Sequence, residues 1–126
     1  MAEITRVPDF WNPATGYSDD VLVKNASTSA AVTVKKGTIL SSDGAGNYSV
    51  VTTMTAAPTN RIAVALEDIE IAKSGTATIK AIKAGVVYVE GMLKAGGYAS
   101  SAITDAVLDE AGGKSNIAFV HVKEVE

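Results

Sequence analysis

Side chains able to do chemistry are sparse in this sequence, and their spacing limits what it can catalyse or ligate. His121 is the one histidine, and there is no cysteine. That composition removes a thiol nucleophile, a disulfide framework and a thiolate metal site, and a lone imidazole is a poor start for a transition-metal centre. A hydrolytic triad would need a nucleophile and an orienting acid around His121, but no G-x-S-x-G elbow occurs. Between Val120 and Val122, His121 reads as a half-buried residue in the middle of a strand. Glu67, Asp68 and Glu70 form the densest carboxylate group. They lack the D-x-D-x-D-G order of a calcium loop and read as a solvated turn. Gly44-Ala45-Gly46 starts like a dinucleotide fingerprint, but Ser49 stands where the third glycine belongs and no helix follows. Lys94, in Glu90-Gly91-Met92-Leu93-Lys94, faintly resembles the lysine tip of biotinyl and lipoyl carrier domains. Ala95-Gly96-Gly97 and a helix follow it instead of a returning strand. The expectation is a protein that is not an enzyme, with no cofactor and no metal.

The elements that must position these residues are mostly strands. Arg61 to Leu93 is the longest stretch rich in Val and Ile, punctuated by Gly75, Gly85 and Gly91. Ile62, Val64 and Leu66 alternate with Ala63 and Ala65, and Ile69 and Ile71 alternate with Glu70. Thr76 to Ala84 carries apolar residues on both faces. Val86 to Glu90 reads as a separate strand after a bend at Gly85. Upstream, Val21–Asn25, Ala31–Lys36, Thr38–Leu40 and Tyr48–Met54 read as short strands, the last two joined by the hairpin loop Ser42-Asp43-Gly44-Ala45-Gly46-Asn47. Beyond the connector Lys94–Gly97, Ser100 or Ser101 is positioned to cap a helix reaching Ala111, with Ile103, Val107 and Leu108 on its apolar side. Gly112 and Gly113 read as its stop, which leaves Asp109 and Glu110 opposing the helix dipole. A closing strand runs from Ile117 to Val125.

At 126 residues and 47% hydrophobic content the chain suits one domain with a real core. The net charge of −3 is interspersed, without a basic block of the kind that neutralises phosphates, so nucleic acid is not an expected partner. No stretch has the length and apolarity of a membrane span, and the amino terminus lacks the pattern of a secretory signal. Residues 1–20 differ from the rest. Pro8 and Pro13 disfavour regular pairing, and Phe10, Trp11 and Tyr17 concentrate aromatic surface there. Chain ends fray, which is one reading. The aromatic content and the stiffening prolines favour another: an extended docking arm with Phe10, Trp11 and Tyr17 as anchors and Ile4 and Val7 as alternating strand contacts. The body then occupies residues 21–126.

The order of motifs adds a resemblance. Gly37-Thr38-Ile39-Leu40, Gly46-Asn47-Tyr48 and Ile62-Ala63-Val64-Ala65-Leu66-Glu67-Asp68-Ile69 follow one another, with Gly85-Val86-Val87 and Gly91-Met92-Leu93 later. This progression resembles the head decoration proteins of tailed bacteriophages, the family that includes the lambda-type cement protein. The resemblance implies a mainly β fold of the β-tulip kind, a small barrel or sandwich with one short C-terminal helix. It further implies homotrimers at three-fold and quasi-three-fold sites on the outside of the expanded capsid. There they stiffen the shell against DNA pressure, and the N-terminal arm adds a strand to the major capsid protein. A second reading, from a different class, is a β-rich ligand- or glycan-binding module of a fibre or surface protein, for which Tyr48, Tyr88 and Tyr98 would supply the stacking surface in the body.

Overall fold

The computed structural model describes residues 10–11, 16–56, 58–99 and 101–121. Its elements are β1 (Tyr17–Lys24), β2 (Val32–Val34), β3 (Ile39–Ser42), β4 (Asn47–Val50), β5 (Ile62–Ala65), β6 (Ile69–Ile71) and β7 (Thr76–Tyr88). They are followed by α1 (Val89–Gly96), α2 (Asp105–Ser115) and β8 (Ile117–Val120). The main sheet has the order β1-β4-β3-β5-β7-β8, and β1 also pairs with β7. That pairing closes five strands into a barrel and leaves β8 as an additional strand on β7. The mainly β expectation is met. β2 and β6 form a separate antiparallel pair, with Val32 opposite Ile71 and Val34 opposite Ile69.

Closure produces two cores. Val21, Val23, Leu40, Tyr48, Ala63, Ala65, Ile79 and Ala81 all come from barrel strands and fill the interior, with Val34 and Ile71 packed against them. The alanines suit the small radius of so few strands. On the outer side of the wall, Ile39, Ile62, Val64, Ile82 and Val87 pack with Val89 and Met92 of α1, with Leu108 and Ala111 of α2, and with Ile117. β5 contributes to both, which is why all four of its residues are buried. An apolar run covered on both faces loses the alternation that marks a one-sided strand.

β7 is continuous through Gly85, where separate strands were expected. Thr76 to Ala84 pairs with β1, and Gly85 to Tyr88 pairs in parallel with β8. Gly85 adopts φ 120°, a conformation open to glycine at little cost, and lets the strand turn from the barrel to the β8 layer. Among the described residues there are two helices instead of the one expected. Val89–Gly96, expected to be strand end and connector, is α1, closed by Gly97 in the left-handed conformation with its N–H on the carbonyls of Leu93 and Lys94. Lys94 therefore lies on a helix and not at a hairpin tip. The other helix begins later and ends later than expected. Thr104 is the N-cap, and the chain stays helical through Gly112 and Gly113 to Ser115, ending at Asn116 with φ 62°. Asp109 and Glu110 are thus interior, while Asp105 in the first turn and Lys114 in the last both complement the dipole.

Candidate functional site

The segment read as a docking arm is where structure and expectation diverge most. Phe10 is 0% exposed and Trp11 5%, both within the outer core with Ile82, Val87 and Val89. Trp11 forms an antiparallel bridge with Val87, and the Tyr88 amide donates to the Phe10 carbonyl at 2.6 Å. Across the same row, Val87 is opposite Phe119 of β8, so the second half of β7 is covered along both edges. Gly16 makes room for the indole: a Cβ there would lie 2.7 Å from Trp11 Cζ3 and 2.9 Å from the Ala84 carbonyl. Phe10 and Trp11, expected as anchors of a docking arm, are thus residues of this chain's own outer core. Burying two large apolar rings outweighs presenting them to water. Tyr17 is 56% exposed but belongs to β1, its hydroxyl donating to Asp19 Oδ2 at 3.0 Å. The body begins before Val21, since Tyr17–Asp20 already pairs with β7. Ile4 and Val7 lie outside the described residues.

The other candidates are partnered within the fold. Glu67 Oε1 accepts from the Lys80 amide at 2.9 Å, and Asp68 Oδ1 accepts from the Lys36 amide at 2.6 Å. These carboxylates continue backbone ladders where the strands diverge. Asp43 accepts from the amides of Ala45 and Asn47, in that order of effect, which holds its carboxyl below the usual aspartate range. The amides that a phosphate would need are thereby occupied. His121 falls just past β8 and is exposed, not mid-strand and half-buried, and it sits between Glu90 and Asp105.

Tyr98 has the most specific environment among the aromatics. Val51 N–H donates to the Ile39 carbonyl at 2.9 Å, but the reciprocal rung is open. The Tyr98 hydroxyl fills it, accepting from the Ile39 amide at 2.9 Å and donating to the Val51 carbonyl at 2.5 Å. Burial pushes this phenol up to about 12, with the Ile39 amide opposing. A cleft of about 180 Å³ beside it is lined by Thr33, Lys35, Thr38 and Thr52 among others. Tyr48 is buried in the barrel interior. Of the three tyrosines expected to offer a stacking surface, Tyr48 is thus buried, Tyr98 is engaged through its hydroxyl, and Tyr88 is half-buried.

Sequence reading missed the partners of Phe10 and Trp11, namely Tyr88 and Val87, and the clearance supplied by Gly16. The available signal was the run Val86-Val87-Tyr88, apolar on successive positions, which calls for cover on both sides. No family model, curated protein or solved structure matches this chain.

Proposed function

We propose that the protein is a structural capsid decoration protein. It binds the outside of an expanded phage head as homotrimers at three-fold and quasi-three-fold sites and stiffens the shell against DNA pressure. Its partner is the major capsid protein, and its location is the outer surface of the virion. The observation that carries this reading is the fixed root at Phe10-Trp11, held by the Trp11–Val87 bridge and the Tyr88–Phe10 hydrogen bond. A β-augmenting segment gains affinity from backbone hydrogen bonds but must offset its own ordering entropy. Attaching it at an immobile point on a closed barrel lowers that cost, and joining several such segments in one trimer raises the effective concentration of each further contact. The strand-adding segment is then the part upstream of the root, with Ile4 and Val7 as its apolar contacts. Trp11 and Tyr48 inside the cores weigh against the glycan-binding alternative.

The test is quantitative mass spectrometry of gradient-purified particles of the virus that encodes the chain. Copies stoichiometric with the major capsid protein are expected. Absence from the particles overturns the proposal.

A further inference from the structure

Outside both cores, His121 joins the ends of three elements. Its Nδ1 lies 2.6 Å from Glu90 Oε2, in the first turn of α1, and its Nε2 lies 3.5 Å from Asp105 Oδ2, in the first turn of α2. The imidazole itself directly follows β8. The arrangement has a chemical consequence. Only an imidazolium presents N–H groups on both sides; a neutral ring has one N–H and one lone pair. With carboxylates on both nitrogens, loss of the proton turns one attractive contact into a lone pair facing an anion.

We propose that His121 is a proton-operated latch that clamps the first turns of α1 and α2 to the end of β8. In the protonated state both carboxylates are bridged. In the neutral state the shorter contact to Glu90 retains the N–H, the Asp105 contact becomes repulsive, and the first turn of α2 is released. The charged groups acting on the ring among the described residues are Glu90 from α1 and Asp105 and Asp109 from α2, all acidic. The hydrogen bond to Glu90 is the foremost cause raising the His121 pKa above its ordinary 6.5; desolvation opposes it, and the Asp105, Glu90 and Asp109 charges assist. The positive ends of two helix dipoles also face this site, so the carboxylates are what make a cation acceptable there. Because the folded-state pKa is raised, the stabilisation is complete below the unfolded value of 6.5 and is lost as pH rises through the folded value. The latch is independent of the capsid reading.

His121 is the only histidine, so its ring resonances can be followed by NMR in the intact protein without assignment ambiguity. A titration from about pH 5 to 9 is expected to give a midpoint above the model-peptide value. The backbone amides of Glu90, Asp105 and Ala106 should shift with that same midpoint, and amide exchange in the first turn of α2 should accelerate above it beyond the intrinsic base-catalysed increase. Glu90→Gln should lower the midpoint. Asp105→Asn should lower it less and abolish the coupled response of α2. All three side chains are exposed, so these variants keep the fold. A midpoint at or below the model-peptide value, or amides of α1 and α2 that ignore the titration, overturns the latch.

Discussion

Single polar atoms close this fold where strands run out of partners. Asn25, buried, donates from Nδ2 to the carbonyls of Ala30, Ile71 and Ala72 and accepts from the Ser27 amide. Ser115, also buried, accepts from the Ile62 amide at 2.7 Å and donates to the Ala111 carbonyl. Tyr98 does the same for the open rung between Ile39 and Val51. Replacing Tyr98 with Phe keeps the ring but strands a buried amide and a carbonyl. A loss of about 1–3 kcal/mol is expected in denaturant unfolding. The pH dependence has a definite sign. A phenol held above its unfolded value of 10.0 favours the folded state below that pH, and the contribution declines as pH rises toward about 12. The wild-type protein should therefore lose stability more steeply than Tyr98→Phe across that window. Parallel slopes in thermal melts would remove the assigned role.

At the scale of elements, α2 carries adjacent glycines with opposite reasons. A Cβ on Gly112 would lie 2.4 Å from the Ile117 carbonyl and 2.7 Å from Phe119 Cδ2, while a Cβ on Gly113 would meet nothing within 4 Å. Gly112 thus permits the close approach of β8 to its own preceding helix, and the obstructing atom is backbone that cannot swing aside. Gly112→Ala is expected to cost about 3 kcal/mol through overpacking. Gly113→Ala is expected to stabilise by about 0.5–1 kcal/mol, because alanine restricts the unfolded chain and favours helix. Unfolding curves of the pair check this, and equal effects from the two substitutions would contradict it. The same glycines read from sequence as a helix stop, since a glycine that admits a neighbour and one that ends a helix look alike until the neighbour is known.

For the molecule as a whole, the division between body and arm shifts toward the amino terminus. Removing residues 1–9 leaves Phe10, Trp11 and the strand pairings of the described barrel in place, and on the proposed capsid reading particle binding is lost. Removing residues 1–15 also takes both buried rings. Large aromatic truncations cost about 3–5 kcal/mol each, against a typical total stability of about 5–15 kcal/mol. The longer truncation should therefore be severely destabilised or unfolded. Trp11 is the only tryptophan, so its fluorescence reports the root directly, with blue-shifted emission expected in the folded chain. Intact particle binding by the shorter truncation would remove residues 1–9 from the proposed capsid contact.

Local chemistry determined much by itself. The loop from Ser42 to Asn47 was legible because Asp and Gly residues favour a tight hairpin without tertiary help, and β3 and β4 do pair across it. Strand-rich character was legible from Val and Ile content, whereas of the expected helical stripe only Val107 and Leu108 lie on α2, Ile103 bridging Met54 before the helix begins. Tertiary structure alone decided the rest. α1 is helical despite a Val-Val-Tyr-Val approach because Val89 and Met92 find an apolar wall at helical spacing. Phe10 and Trp11 are inside because β7, distant in sequence, supplies both a backbone edge and a cavity lining for them. Barrel closure between β1 and β7 is likewise a contact between remote segments. Short-range preferences act over a few residues, whereas burial is set by whichever surfaces the closed chain brings together, and at this size the second effect is the larger.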